Sequence, residues 1–168
     1  PMANEDETLW LVFNGEIYNY RELVPWLEEK GHRFRTRTDT ETIVHLYEEW
    51  GTGCLDRLNG MFAFAIWDNQ TSTLFAARDR LGIKPLYFSQ QDQFFRFAST
   101  TQALLAGGEV DTHIDPVALH HYMHFHAVVP APHTILRGVR KLPPATIRVI
   151  EPDSLLETLV ALRVSVGC

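Results

Sequence analysis

The stretch from Gly60 to Asp68 constrains the fold more than any other part of the chain. Its residues are Gly-Met-Phe-Ala-Phe-Ala-Ile-Trp-Asp, and it runs into a polar turn cluster and then a second apolar stretch, Thr73–Arg78. Two short apolar runs that are separated by turn residues predict a β-hairpin. Because both faces of these strands are apolar and helical patterns flank them, we expect an α+β fold in which helices cover the sheets.

Composition and charge exclude several classes of protein. The chain has 168 residues, of which 45% are hydrophobic, so it is long enough for one globular domain with a buried core. A formal net charge of −6 argues against a nucleic-acid partner. The longest apolar run, Met61–Trp67, is much shorter than the ~20 residues that span a membrane. With no visible signal peptide and only two cysteines, we predict a cytoplasmic protein.

A predicted strand upstream of the hairpin leads into two residues that can carry chemistry. Leu9–Phe13 is a short apolar run, typical of a buried strand. Asn14 and Gly15 follow it, and this pair is typical of sharp turns. Such a turn presents a side-chain amide and a neighbouring backbone N–H, two donors that can stabilise an oxyanion. The alternative is a tight turn with a purely structural role.

Two capping patterns predict helices after this strand. Asn19–Glu22 has the spacing of a capping box and predicts a helix that ends at Gly31. Pro25 lies within it and either marks a later start or kinks the helix. Thr38–Glu41 is a second capping pattern, and the apolar stripe that follows predicts a helix as far as Trp50.

Two acidic residues near these turns are candidate ligands for an amino group. Glu16 follows the Asn14–Gly15 pair, and Asp39 lies at the start of the second predicted helix. Two carboxylates can bind the α-amino group of an amino-acid substrate through charge-assisted hydrogen bonds. The alternative for Asp39 is a cap on the helix Thr40–Trp50, a role typically worth about 1 kcal/mol.

A cluster of five histidines between residues 113 and 126 does not predict a metal site. His120 and His124 are spaced i, i+4, which can present two ligands to zinc. No HExxH pattern and no nearby cysteine accompany them, so we interpret them as ordinary helix histidines. No neighbour in the sequence activates Cys54, and we expect this thiol to be structurally buried. The five histidines are His113, His120, His121, His124 and His126.

Several ordered stretches together identify a family that the sequence resembles. They are Val12–Asn19, Thr38–Glu41, Leu58–Asp68, Ala77–Tyr87, Pro130–Ile135 and Lys141–Pro144. In order and spacing, over about residues 1–150, they resemble the N-terminal glutaminase domain of the glutamine-hydrolysing asparagine synthetases. The resemblance implies an N-terminal-nucleophile (class II) glutaminase with an αββα sandwich.

Finer features of the sequence refine this resemblance. His124–Val129 and Val149–Asp153 resemble a bacterial branch that amidates N-acetylglutaminylglutamine. The chain departs from the family pattern at Thr100–Gln102 and at Ala145, where the family usually has Gly. Neither departure touches the implied chemistry.

The resemblance assigns roles to the candidate residues. In the family, a mature N-terminal cysteine attacks the side-chain amide of glutamine, and its own α-amino group acts as the base. On this chain, the resemblance implies that Asn14 and Gly15 form the oxyanion hole. It also implies that Glu16 and Asp39 hold the α-amino group of glutamine. The nucleophilic cysteine is not among these residues, so we expect an inactive fragment that lacks the first strands of the fold.

The resemblance also implies an organisation and partners. Residues 1–126 are then a partial glutaminase domain, and 127–153 are a Pro-rich connector with the last strand, leading to an absent synthetase domain. Residues 154–168 are a tail of unknown role. The glutaminase domain binds glutamine and needs no cofactor or metal, whereas ATP and Mg²⁺ bind in the synthetase domain. A homodimer is compatible with the sequence. The rival interpretation is a catalytically dead relative that serves as a regulatory or binding module.

Overall fold

A computed structural model describes the backbone of residues 1–91, 94–151 and 154–161, and side chains within this part up to residue 151. The chain divides into two units, residues 1–84 with 145–168 and residues 85–144. The helices and strands of the described part are β1 (Met2–Ala3), β2 (Leu9–Ile17), α1 (Tyr20–Glu29), α2 (Asp39–Trp50), a 3₁₀ helix (Gly51–Asp56), β3 (Gly60–Asp68), β4 (Thr73–Arg78), β5 (Tyr87–Gln91), β6 (Phe94–Ala98), α3 (Thr101–Ala106), α4 (Pro116–His124), β7 (Arg140–Lys141), β8 (Thr146–Glu151) and β9 (Ser154–Ala161).

The first unit contains an antiparallel sheet with the strand order β1-β2-β3-β4-β8-β9. The predicted hairpin is confirmed, since β3 and β4 pair with Phe64 opposite Ala77. Strand β2 pairs with the other edge of β3 and places Phe13 opposite Phe64. Strand β8 pairs with the other edge of β4. Both hairpin strands are therefore interior to the sheet, and side chains on both of their faces are buried at 62–66 and 75–78, which accounts for their apolar sequence.

Helices α1 and α2 cover one face of this sheet. Side chains alternate between the two faces of a strand, so Leu11 and Ile17 of β2 point to the same face as Phe64 of β3. These side chains are almost fully buried together with Ile43 and Leu46 of α2. This apolar contact fixes α2, and with it the position of the residue that begins the helix.

Strand β2 is longer than the sequence predicts. The prediction ended the strand at Phe13 and placed a sharp turn at Asn14 and Gly15, but pairing with β3 continues to Ile17. The turn prediction is therefore wrong. Gly15 serves a different purpose, because the backbone of β3 comes too close at this point for a side chain.

Helix α1 starts where the sequence predicts, but not through the predicted capping box. Asn19 is the N-cap residue, and the helix continues through Pro25 without a later start. The Asn19 side chain makes no capping hydrogen bond. Its amide instead donates to the carbonyl oxygen of Arg57 at 2.9 Å and accepts from the N–H of Asn59 at 3.0 Å. Asn19 therefore ties the start of α1 to the segment before β3.

The second capping box also has a different role from the predicted one. Thr38 is the N-cap of α2, but its side chain makes no capping hydrogen bond. The Glu41 carboxylate accepts hydrogen bonds from the N–H groups of Arg35 and Thr36, each at 2.7 Å. Glu41 thus orders the segment that enters the helix rather than closing the capping box.

The second unit contains a sheet with the strand order β6-β5-β7. Helix α4 is capped by Asp115, whose carboxylate accepts hydrogen bonds from the N–H groups of Val117 and Ala118. The predicted Pro-rich connector includes β7, which pairs with β5 and places Lys141 opposite Tyr87.

The start of the predicted tail forms β9, which pairs with β8 in the first unit. The remainder of the tail, 162–168, lies outside the described residues.

Candidate active site

The end of β2 holds a backbone N–H that bonds to one of the predicted acidic residues. The N–H of Ile17 donates a hydrogen bond of 2.9 Å to Oδ2 of Asp39. The N–H of the next residue, Tyr18, donates to the carbonyl oxygen of Asn59 at 2.7 Å. Successive N–H groups of a strand point to opposite edges. The N–H of Ile17 therefore lies on the edge of β2 that faces away from β3.

The N–H of Gly15 points to this same edge, because Gly15 lies two residues before Ile17. Its partner in the sheet is Phe62, whose N–H and carbonyl oxygen both bond to Asp79, at 3.2 and 2.8 Å. Gly15 and Phe62 are thus a non-hydrogen-bonded pair. Strand β1 pairs with β2 no further than Leu11. Within the described residues, no strand covers the edge of β2 at Gly15.

Strands β2 and β3 approach each other closely at two glycines. A Cβ on Gly15 would overlap the carbonyl oxygen of Met61 and lie 2.8 Å from Cα of Phe62. A Cβ on Gly60 would overlap the carbonyl oxygen of Glu16. Since these neighbours are backbone atoms held in a sheet, they cannot move aside as the end of a side chain can. The two glycines therefore fix the backbone of β2 at the point where no described strand covers the N–H of Gly15.

Asn14 and Glu16 lie on the sheet face opposite the helices, because side chains alternate along β2. Asn14 is half-buried, and its amide makes no hydrogen bond with the part of the chain that the structure describes. Glu16 is exposed, and its carboxylate has no ion-pair partner in the same part. The polar groups of both side chains can therefore bind a ligand without breaking a hydrogen bond or an ion pair to the described residues.

Asp39 is the first residue of α2 and does not cap it. Thr38 occupies the N-cap position, and Oδ2 of Asp39 accepts the N–H of Ile17 instead of a helix N–H. The helix-cap interpretation is therefore wrong. Oδ1 has only a long contact of 3.4 Å with the hydroxyl group of Thr40. The structure thus holds the Asp39 carboxylate at the end of β2, the strand that carries the other three predicted residues, Asn14, Gly15 and Glu16.

A buried carboxylate that the sequence analysis did not assign orders a loop beside β3. Asp79 is 2% exposed and accepts hydrogen bonds from the N–H groups of Leu81, Ile83 and Lys84 at 3.0–3.1 Å. It also accepts the N–H of Phe62, the partner of Gly15. An acidic residue directly after a strand, followed by a Gly-containing turn, was the available signal for this role.

Cys54 is buried, as the sequence predicts. Burial and the negative charge of Asp56 raise the pKa of its thiol to about 12. Because the thiolate is the nucleophilic form of cysteine, Cys54 is not a nucleophile at neutral pH. Cys168 lies outside the described residues.

His120 and His124 lie side by side on α4, with ring centroids 4.0 Å apart. Nδ1 of His124 is 2.8 Å from the carbonyl oxygen of His120 and is engaged by this contact. In the described part of the chain, no histidine, cysteine or acidic residue joins the pair as a third ligand.

One cavity of the first unit is separate from the predicted site residues. It has a volume of about 620 Å³ and lies between α1 and residues 34–37, where Tyr20, Val24 and Thr36 line it. None of the four predicted residues at the end of β2 and the start of α2 contributes to its wall. This cavity is therefore not the candidate site.

Comparisons with known proteins first give the class. A family profile described as a glutamine amidotransferase domain matches residues 1–158. The fold is similar to that of glutamine phosphoribosylpyrophosphate amidotransferase from Bacillus subtilis, with a TM-score of 0.61 and 21% identity. That match covers 94% of this chain and 30% of the other. The predicted α+β fold of the N-terminal-nucleophile type is confirmed.

Sequence relatives then give the family. Asparagine synthetase [glutamine-hydrolyzing] 1 of Bacillus subtilis is 43% identical over 153 residues, which cover 91% of this chain and 24% of that protein. Asparagine synthetase [glutamine-hydrolyzing] 3 of the same organism is 36% identical over 157 residues, 92% of this chain and 26% of that protein. The chain thus spans about a quarter of the length of these relatives. It belongs to the glutamine amidotransferase domain family and is homologous to the glutaminase domains of glutamine-hydrolysing asparagine synthetases.

The helices that the structure describes are too short or too polar to cross a lipid bilayer.

Proposed function

We propose that the chain is the glutaminase part of a glutamine-dependent amide ligase of the asparagine synthetase type. The observation that carries the proposal is the hydrogen bond from Ile17 to Asp39, which sets a carboxylate beside the free edge of β2. The strand also carries Asn14, Gly15 and Glu16. A site that takes nitrogen from glutamine needs donors for an oxyanion and acceptors for an ammonium group, and this strand end offers both.

Asn14 and Gly15 supply the oxyanion donors in this proposal. Attack on the side-chain amide carbon of glutamine converts its carbonyl oxygen into an oxyanion. The Asn14 amide has no partner among the described residues, and the N–H of Gly15 points to the uncovered edge of β2. Both donors can therefore bind the oxyanion without breaking a bond of the fold. Loss of one such donor typically lowers turnover by about 100- to 1,000-fold.

Glu16 and Asp39 bind the α-ammonium group of glutamine in the same proposal. Hydrogen bonds between an ammonium group and carboxylates are charge-assisted, and they are stronger than neutral ones. Asp39 is held in place before glutamine arrives, because Ile17 occupies its Oδ2. Glu16 directly precedes Ile17 in β2, and its carboxylate supplies the second negative charge.

The nucleophile and the ligase step are then supplied by parts of the parent polypeptide other than these 168 residues. Cys54 is buried with a thiol pKa of about 12, which does not suit a nucleophile. In the parent, an N-terminal cysteine would form a thioester with glutamine and release ammonia, and water would then release glutamate. In the synthetase domain, the acceptor carboxylate would attack the α-phosphorus of Mg-ATP, forming an acyl adenylate and releasing pyrophosphate, and ammonia would then displace AMP to give the amide. We place this protein in the cytoplasm, where thiols stay reduced.

The test uses the parent polypeptide with its N-terminal cysteine and synthetase domain. ATP-dependent amide formation is measured with glutamine and, separately, with ammonium chloride as the nitrogen source. We expect both to support synthesis, with one glutamate released for each amide formed from glutamine. Synthesis from ammonium alone, without glutamate release, would show instead that this domain is a glutaminase-like module that has lost catalysis.

A further inference from the structure

Four side chains from three separate segments converge on one point of the first unit, away from the end of β2. Glu5 lies in the turn between β1 and β2, His32 lies between α1 and α2, and His45 and Glu48 lie on α2. Each offers one nitrogen or carboxylate oxygen atom, and these four atoms lie within 4.8 Å of one another. We propose that this cluster binds a zinc ion.

The distances between these atoms are close to those of a tetrahedral site. Nδ1 of His45 lies 2.9 Å from Oε2 of Glu48 and 3.5 Å from Oε2 of Glu5. Nδ1 of His32 lies 3.4 Å from the same Glu48 oxygen and 3.8 Å from the other Glu5 oxygen, Oε1. Four ligand atoms at about 2.0–2.1 Å from Zn²⁺ in a tetrahedron lie about 3.3–3.4 Å from one another. Small side-chain movements would therefore bring one atom from each residue to the distances that zinc requires.

In each histidine, the nitrogen that does not face the cluster, Nε2, lies near another carboxylate. Nε2 of His32 is 3.2 Å from Oε1 of Glu49. Nε2 of His45 is buried without a hydrogen bond in the described part of the chain, and Oε1 of Glu41 lies 3.7 Å away. Histidines that bind metals almost always direct their other N–H to a carboxylate, a carbonyl oxygen or water, which fixes the tautomer. When Nε2 carries the proton, Nδ1 of each histidine is left to bind a cation, and the ion replaces the proton that joins Nδ1 of His45 to Glu48.

The two carboxylates are held in position as well. Oε1 of Glu48 accepts a hydrogen bond of 2.8 Å from the side-chain amide of Asn4, which leaves Oε2 directed at the histidines. Oε1 of Glu5 accepts the N–H of Arg33 at 2.8 Å. Ligands that are held by second contacts need little ordering when the ion binds, so the site is preorganised.

The donor set selects the kind of ion and its role. Two imidazole nitrogens and two carboxylate oxygens suit Zn²⁺, and four protein ligands close the coordination sphere as in structural zinc sites. Two carboxylates also neutralise the two positive charges of the ion. The ion would join the β1–β2 turn and the α1–α2 connection to α2, the helix that begins at Asp39.

The two imidazole rings also border the same space. The ring centroids of His32 and His45 lie 4.8 Å apart, so both rings approach the point on which the carboxylates converge.

The test is a zinc titration of the untagged, chelator-treated chain by calorimetry, with thermal unfolding followed in parallel. We expect one zinc ion per chain, a rise in Tm, and the visible absorption of tetrahedral Co²⁺ when cobalt replaces zinc. His32→Gln changes a partly exposed ligand and should weaken zinc binding by at least ~10-fold, with Tm in chelator little changed. Glu49→Ala removes the outer acceptor of His32, together with the exposed ion pair to Lys30, and should weaken binding by ~10-fold.

The matched control is His124→Gln, because His120 and His124 form the other close histidine pair in the described part of the chain. This variant should keep wild-type zinc affinity and the zinc-induced rise in Tm. The proposal is overturned if the wild-type chain takes up no zinc, or if His124→Gln abolishes binding while His32→Gln leaves it intact. It is also overturned if zinc binds without raising Tm, since an ion that joins three segments must stabilise the folded state.

Discussion

The N–H of Ile17 and the Oδ2 atom of Asp39, 2.9 Å apart, join the last residue of β2 to the first residue of α2. This hydrogen bond uses a backbone donor that no strand covers in the described part of the chain. It also occupies one oxygen of Asp39 and so fixes the direction of the carboxylate. The contact therefore connects the packing of α2 on the sheet to the position of a charged group at the candidate site.

The close approach of β2 and β3 predicts a large effect of a single methyl group. Gly15→Ala places a Cβ against backbone atoms of Met61 and Phe62, and such overpacking typically costs about 1–3 kcal/mol of unfolding free energy. Gly53→Ala is the matched control, because the nearest atom to its new Cβ is 3.8 Å away, and the change should stay within about 0.5 kcal/mol. Chemical denaturation measures both. Equal stability of the two variants would contradict the close packing.

Ala145 predicts a stabilising substitution. It adopts a φ of +53°, a left-handed conformation in which a Cβ is unfavourable by about 1–2 kcal/mol. Glycine removes this strain but loses about 0.5–1 kcal/mol through the extra freedom of the unfolded chain. Ala145→Gly should therefore raise the unfolding free energy by about 0.5–1 kcal/mol. Ala103→Gly, at an exposed position within α3, should lower it by up to about 1 kcal/mol. If both variants lost stability, the strain at Ala145 would be refuted.

Because Cys54 is buried, we predict that its thiol reacts slowly with alkylating reagents. With Cys168→Ser as the background, Cys54 is the remaining thiol, and iodoacetamide should modify it far more slowly in the folded chain than in urea. The reason is that burial both raises the pKa of the thiol to about 12 and blocks access. Mass spectrometry of the alkylated chain follows the reaction. Equal rates in buffer and in urea would show that Cys54 is accessible.

Local sequence patterns predicted much of the fold, because those patterns reflect burial of neighbouring side chains. Two examples are the β3–β4 hairpin and the helix α2, which was predicted from an apolar stripe that ends at Trp50, and the structure contains both. The pattern failed at Gly15, where the reason for glycine is the backbone of β3, more than forty residues along the chain. A residue pair that is common in turns was therefore read as a turn.

The candidate site shows the same limit. The residue types at Asn14, Glu16 and Asp39 are visible in the sequence, but the bond that joins Asp39 to Ile17 depends on how α2 packs on the sheet. The zinc cluster has no local signature, since Glu5 lies 27 positions before His32 in the sequence. Only the fold brings such residues together.

The oxyanion role of Asn14 predicts a selective loss of activity in the parent polypeptide. Asn14→Ala should lower the kcat of glutamine hydrolysis by about 100-fold or more, because it removes one donor to the oxyanion. Ammonium-dependent amide synthesis should be unchanged. Stability should also be nearly unchanged, since the Asn14 amide holds no described part of the fold. Turnover within a factor of two of the wild type would remove Asn14 from this role.

The most direct test of the central claim is the steady-state kinetics of Asp39→Asn in the parent polypeptide, with glutamine and with ammonium as nitrogen sources. Asn keeps the size of the side chain and an oxygen that can accept the N–H of Ile17, but it removes the charge that would bind the α-ammonium group. The account predicts a raised KM for glutamine and an unchanged rate with ammonium. If the two activities fell together, Asp39 would hold the fold rather than glutamine, and the claim that β2 and α2 form the glutamine site would be contradicted.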